Sequence, residues 1–326
     1  MFTNAIEGVT FTRQQIQDAL AEENRSSPWH RRFRELSHLY LTLGEGKGKV
    51  PESPADIRGI YDNVMDGELS ADDLLDGELF RAGSVDITDA AGRSLHRGFH
   101  PEEKILRGLE ATLQAMSDKA SPPLVCAIMS HFMFEAVHPF YDGNGRTGRY
   151  LLGLRLSRLL SSPTALTLSR VLHEDRKTYY RAFTDVEEHL NRGDGTPFAL
   201  ALLRLIFEAQ GQLEEDLSAR EYLLKGLTEK LQDLQDAPGH GLSEHGFRIL
   251  FLLGQVDLFG TGSGTKLDEI AEYLDLSSPH SRRYLTGLEK QELIATITKR
   301  PLRFTLTTKG RLLLGLTEQE PPVLTT

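Results

Sequence analysis

Apolar positions recur at helical spacing through most of this 326-residue chain. Trp29, Phe33, Leu36, Leu39 and Tyr40 form a stripe within Thr12–Leu43, which predicts a helix with one face on a core. Leu124–Val137 is largely apolar and lacks Gly and Pro, the pattern of a core helix, and Tyr150–Leu160 resumes a helical pattern after a glycine-rich interval. Long helical patterns run from about Phe198 to Leu234 and end near Pro238-Gly239, which reads as a boundary. Gly44–Pro54 reads as a loop, and Phe80–Ile87 has strand character, with Thr88–Gly98 as its turn and return. Past the boundary, helices are expected at Ser243–Leu253, Leu267–Leu274 and Ser278–Gln291, followed by strand-like runs at Ile294–Thr298 and Arg303–Thr307. The pattern as a whole is mainly α.

Length favours more than one core. The chain has no apolar run long enough to span a bilayer, and its first residues lack the basic and apolar regions of a secretory signal. Cytoplasmic residence without a membrane partner is therefore expected. Cys126, the sole cysteine, lies in an apolar helix and is read as a core residue. Zinc spacings such as CxxC and HExxH are absent, and the glycine-rich stretches Gly44–Lys49 and Gly260–Lys266 satisfy neither GxxxxGK[ST] nor the dinucleotide-binding spacing. His131, two helical turns before His138, is read as a core or supporting histidine.

The densest chemistry lies at His138-Pro139-Phe140-Tyr141-Asp142-Gly143-Asn144-Gly145-Arg146-Thr147-Gly148-Arg149. A histidine titrates near neutral pH and suits a general base. Asp142 supplies the hard oxygen that Mg²⁺ prefers. Gly143 and Gly145 admit phosphate close to the backbone, Asn144 tolerates left-handed conformations, and the start of the following helix favours anions. Arg146 and Arg149, three apart on that helix, offer two forks to phosphate oxygens. The second helix is expected to begin where the glycines end. A triphosphate is the ligand this set fits.

The segment resembles the Fic family, whose signature HPFx[DE]GNGRxxR is matched at every specified position. The resemblance implies a helical core that binds ATP with Mg²⁺ and transfers AMP to a Ser, Thr or Tyr hydroxyl of a target protein. It makes His138 the base, Asp142 the metal ligand, Gly143, Asn144 and Gly145 the phosphate cradle, and Arg146 and Arg149 the outer phosphate contacts. Relatives of the Doc type carry Ala-Asn-Lys in this part of the loop, so the AMP-transferring branch fits better. Thr3-Asn4-Ala5-Ile6-Glu7-Gly8 is similar to the family's inhibitory motif [ST]xxxE[GN], which implies an ion pair between Glu7 and Arg149 that keeps ATP from its productive pose. With only Met1 and Phe2 ahead of Thr3, fraying and weaker inhibition, or packing against a partner chain in a homodimer, are expected. The family places a β-hairpin flap before the signature, which makes Val85, Asp86 and Ile87 candidate contacts for an extended target segment. Lys177–Phe183 resembles the segment whose tyrosines line the adenine pocket, here Tyr179 and Tyr180, and Asn191 is a candidate donor to the base.

The C-terminal elements resemble a winged helix-turn-helix. Ten Lys or Arg stand against eight Asp or Glu from Glu244 to Arg311, a net of +2, while the whole chain carries −10. Arg282, Arg283 and Lys290, with Lys299, Arg300 and Arg303 at the wing, are candidate DNA phosphate contacts. The small net charge favours a protein-interaction module instead. The resulting division is an N-terminal helical region at 1–50 carrying the inhibitory motif, a catalytic core at 51–210, a helical linker at 211–240, the winged module at 241–315 and a tail at 316–326. Two other overall readings stand beside AMP transfer: a DNA-binding regulator whose Fic core senses nucleotide, and an enzyme that mainly removes AMP.

Overall fold

The computed structural model describes residues 39–66, 68–70, 73–88, 94–239, 241–260 and 264–316. Thr3, Glu7, Gly8 and most of the first expected helix lie outside them. Residues 39–44 are helical, and Leu39 and Tyr40 pack half-buried against the core as their stripe predicts.

The chain divides into two compact units between Leu213 and Glu214. In the first, α1 (Pro54–Val64) starts at a capping box, in which Ser53 Oγ accepts from the Asp56 amide and the Asp56 carboxylate accepts from the Ser53 amide. A two-stranded antiparallel hairpin follows, β1 (Asp86–Thr88) and β2 (Ser94–Arg97), with an irregular register between Ile87 and Thr88. The strand is shorter than the sequence suggests. Residues 80–85 are irregular: Phe80 and Arg81 are fully buried, and their amides donate to the Glu102 carboxylate and to Pro139 O rather than to a partner strand. Helix α2 (Glu102–Met116) buries Ile105, Leu109, Thr112 and Met116 at i, i+4, i+7, i+11, and its Glu102 carboxylate accepts from the amides of Glu78, Leu79 and Phe80, pinning the approach to the hairpin.

Helices α3 (Pro123–Val137) and α4 (Asn144–Leu159) form the middle of this unit, both buried around much of their circumference. They approach closely at Gly148, where a β-carbon would collide with Glu135 Oε1 and come within 2.9 Å of Phe134. Cys126 is buried, as expected. Around them pack α5 (Ser162–Glu174), capped by Ser161, and α6 (Arg176–Glu187), capped by Asp175. Helix α7 (Thr196–Asp236) spans 41 residues and crosses the division between the units. Phe198, Leu202, Leu205, Ile206 and Ala209 enter the first core, whereas Leu227 and Leu231 enter the second.

The second unit contains α8 (Glu244–Phe259), β3 (Thr265–Lys266), α9 (Leu267–Leu274), α10 (Ser278–Lys290), β4 (Ile294–Lys299), β5 (Leu302–Leu306) and α11 (Thr308–Leu313). The strands form an antiparallel sheet in the order β3-β5-β4. The three helices and the hairpin fall where the apolar pattern puts them; β3 is too short to leave a period-two signal. Arg282, Arg283, Lys290, Lys299 and Arg300 are exposed. Arg303 is half-buried, beside the turn between β4 and β5, and donates to the Gly264 carbonyl at 2.9 Å.

Candidate active site

Helix α3 ends at His138, whose backbone lies in the left-handed region (φ 51°, ψ 63°) and whose amide still donates to Phe134 O at 3.0 Å. That geometry turns the chain sharply. The imidazole Nδ1 faces Glu135 O at 3.3 Å. A carbonyl only accepts, so Nδ1 carries the proton of the neutral ring and Nε2 keeps its lone pair. Burial pushes the pKa of His138 down to about 4, which keeps the ring neutral and proton-accepting at neutral pH.

Phe140 anchors the loop, stacking on Tyr61 with ring centroids 3.6 Å apart and contacting Phe80. Asn144 closes it from the other side: its Oδ1 accepts from the Phe140 amide at 3.0 Å and its Nδ2 donates to Phe140 O at 2.8 Å. The left-handed residue of the turn is Gly143 (φ 81°), not Asn144, which is already the first residue of α4. The helix therefore starts before the glycines end, earlier than the sequence pattern suggests, and Gly145, Arg146 and Arg149 sit in its first two turns. No side chain caps this terminus.

A cavity of about 350 Å³ opens beside this turn, lined by Ile87, His96, Glu135, His138, Gly145, Arg149, Tyr179, Tyr180, Phe183, Thr184 and Glu187. Six residues singled out from the sequence converge there: His138, Gly145, Arg149, Tyr179, Tyr180 and, from the hairpin, Ile87. Tyr179 is 1% exposed and acts through its hydroxyl, whereas Tyr180 is 43% exposed and supplies the open aromatic wall. His131 Nδ1 lies 3.1 Å from Gly148 O and its Nε2 lies 2.8 Å from the Tyr179 hydroxyl. Nδ1 therefore donates, Nε2 accepts the phenol proton, and the phenol oxygen is left to accept from Arg149, with which it is hydrogen-bonded. Burial drops the His131 pKa to about 3 and raises that of Tyr179, so this chain of donors stays neutral up to the guanidinium.

Other expected residues stand apart from the cavity. Arg146 is 6% exposed and pairs with Glu68 and, at 3.0 Å, with Asp142, so the two arginines face different partners rather than one region. Asp142 is exposed; its Oδ1 accepts from the Gly143 amide at 2.7 Å and its Oδ2 from Arg146. Asn191 is exposed and its Nδ2 donates to Asp185 O. Val85 and Asp86 lie outside the lining, and Asp86 pairs across the hairpin with Arg97 at 2.8 Å.

The sequence reading does not reach Glu68, His96, Glu135 or Glu187. His96 on β2 places Nε2 2.7 Å from Ala136 O and Nδ1 2.9 Å from Glu187 Oε1. Both partners are acceptors, so the ring satisfies both contacts only as an imidazolium. The Glu187 hydrogen bond accordingly raises its pKa against the effect of burial. Only Glu135 left a sequence signal, its position three residues before His138 on an apolar helix.

Residues 51–156, which include the hairpin, the turn and most of α4, match the family model described as Fic/DOC family. This part of the chain is a Fic/DOC family domain. The protein adenylyltransferase fic-1 of Caenorhabditis briggsae is 33% identical over 141 residues, covering 40% of this chain and 26% of that protein. The protein adenylyltransferase Fic of Drosophila virilis is 26% identical over 273 residues, covering 81% of this chain and 51% of that protein. The chain thus spans between a quarter and about half of the length of these relatives. In fold it is similar to a Fic family protein from Desulfovibrio desulfuricans G20, with a TM-score of 0.56 and 20% identity over 95% of this chain and 85% of that one. No helix among the described residues is long and apolar enough to cross a membrane.

Proposed function

We propose that this chain is a protein adenylyltransferase that moves AMP from ATP to a hydroxyl of a target protein. The observation that carries this reading is the pairing, in one cavity, of a neutral His138 whose Nε2 is left to accept a proton with the Arg149 guanidinium. The hydroxyl oxygen attacks the α-phosphorus while Nε2 takes its proton. The bond to the bridging oxygen breaks, and its electron pair leaves with pyrophosphate. Arg149, oriented by Tyr179 and His131, stabilises charge on the outer phosphates, and the uncapped start of α4 offers amides to the same anion. The exposed face of Tyr180 suits the adenine.

Asp142 fits a Mg²⁺ ligand. Its carboxylate is exposed, and among the described residues each oxygen accepts one hydrogen bond, which leaves lone pairs for a cation that takes its remaining ligands from phosphate and water. The metal would neutralise phosphate charge there. Glu7, outside the described residues, is proposed as the inhibitory partner of Arg149. For the second unit, the helix order and the β3-β5-β4 sheet support a winged helix-turn-helix serving as an accessory module.

The test is AMP transfer from ATP labelled at the α-phosphate to proteins of a cell lysate, comparing the parent, Glu7→Gly and His138→Ala. Label transfer that is strongest with Glu7→Gly and lost with His138→Ala supports the reading; label transfer unaffected by His138→Ala overturns it.

A further inference from the structure

Among the described residues, Arg81 is the largest fully buried side chain, at 0% exposure, yet it forms no ion pair there. Each of its three nitrogens donates to a backbone carbonyl. Nε donates to His138 O at 2.9 Å, Nη1 to Gly83 O at 2.5 Å and Nη2 to Phe99 O at 2.8 Å. Gly83 precedes β1 and Phe99 follows β2, so one guanidinium ties both roots of the hairpin to the backbone of His138.

The backbone repeats the connection. The Phe99 amide donates to Val137 O at 3.0 Å and the Arg81 amide to Pro139 O at 3.3 Å, so three successive carbonyls, 137 to 139, take their hydrogen bonds from the roots of the hairpin. Gly98 lies against this junction: a β-carbon there would collide with Arg81 Nη2 and come within 3.1 Å of His138 Cβ. Burying a guanidinium among neutral carbonyls is costly, and burial indeed lowers its pKa. What it gains over an apolar side chain is a rigid planar fork that fixes three carbonyls at once. The left-handed backbone of His138 is a conformation that persists only where its surroundings hold it, and the hydrogen bonds to the carbonyls of 137 to 139 do so beside the Nδ1 contact to Glu135 O.

We propose that Arg81 is a positioning residue for His138, locking the base to the roots of the hairpin so that a segment bound on the hairpin meets an imidazole already aimed. The proposal rests on the adenylyltransferase reading for its kinetic consequence and on geometry alone for its structural one.

Arg81→Lys keeps the charge but loses the fork, Arg81→Met keeps most of the length, and Gly98→Ala disturbs the junction with the arginine present. Each would be made in the Glu7→Gly background and measured for ATP affinity by calorimetry, for kcat and KM of AMP transfer, and for the His138 ring by ¹H–¹⁵N NMR across pH. The expected result is ATP affinity within about two-fold of the parent, kcat lower by roughly 10- to 100-fold, and a His138 signal that loses its single Nδ1-protonated tautomer. If Arg81→Lys and Arg81→Met do not fold, Gly98→Ala decides. A folded variant with parental kcat and a parental His138 spectrum overturns the proposal. If the Glu7→Gly protein itself transfers no AMP, the adenylyltransferase reading fails, while the His138 spectrum still reports whether Arg81 holds the ring.

Discussion

Because burial drops its pKa to about 4, His138 is neutral over the whole neutral range, as the proposed base must be. The acid limb of kcat/KM for AMP transfer is therefore expected near pH 4 rather than near the 6.5 of a free imidazole, and a limb at 6.5 in initial-rate profiles would contradict the buried setting. Replacing it should separate binding from chemistry: His138→Ala is expected to keep ATP affinity in calorimetry while transfer falls by about 10²- to 10⁴-fold. Asp142→Ala is expected to shift the Mg²⁺ titration of activity to higher concentration, because the proposed metal site would lose its carboxylate. Glu7→Gly should raise transfer in the parent and leave it unchanged once Arg149→Ala is present; activation that persists without Arg149 would exclude that ion pair as the switch. At this scale the signature was legible because its chemistry is local in sequence. Glu68, His96, Glu187 and Arg81 were not, since each reaches the turn from a distant segment and only the fold supplies the encounter.

Helix α3 and helix α4 were visible as apolar patterns, yet the reason they pack so closely is a single glycine that reads as part of the phosphate turn. Gly148→Ala would push a methyl group into Glu135 and Phe134, and a cost of about 1–3 kcal/mol is expected, seen as a lower melting temperature. The hairpin offers the contrast. Asp86 and Arg97 pair at 2.8 Å, but with side chains 39% and 73% exposed, so Asp86→Ala is expected to leave the melting temperature unchanged within error. A drop comparable to that of Gly148→Ala would show the pair to be more than a solvated surface contact. The sequence overextended the first strand: Val85, Asp86 and Ile87 alternate as strand residues do, but Phe80 stands five positions before Val85 and so falls out of phase with them. The buried arginine between Phe80 and Val85, which takes the Gly83 carbonyl within this segment, leaves no mark in a period-two pattern.

Across the whole molecule, proton binding acts mainly on the first unit. Unfolded, His131 and His138 titrate near 6.5; folded, they titrate at about 3 and about 4. Between those values the unfolded chain holds more protons, so stability rises with pH in this window and is lost as pH falls from 6.5 toward 4. His96 works in the opposite sense: its pKa is raised by Glu187, and its contribution, present below 6.5, disappears as pH rises through its folded value. Two lowered histidines against one raised lead to a lower urea midpoint at pH 5 than at pH 7, and an equal or higher midpoint at pH 5 would refute the balance. The second unit was the more readable half in outline, because its amphipathic helices and hairpin carry clear periods, and the less readable in use, because exposed cations suit DNA and protein alike. The left-handed backbone of His138 bears on the molecule in a further way. A helix end of that shape is ordinarily filled by glycine, and a side chain there costs roughly 1–2 kcal/mol. His138→Gly is thus expected to melt above His138→Ala although both lack the ring. Of the two replacements that remove the ring, the sturdier is the one that suits the backbone, so the conformation at this helix end has a stability cost separable from the chemistry proposed for the side chain.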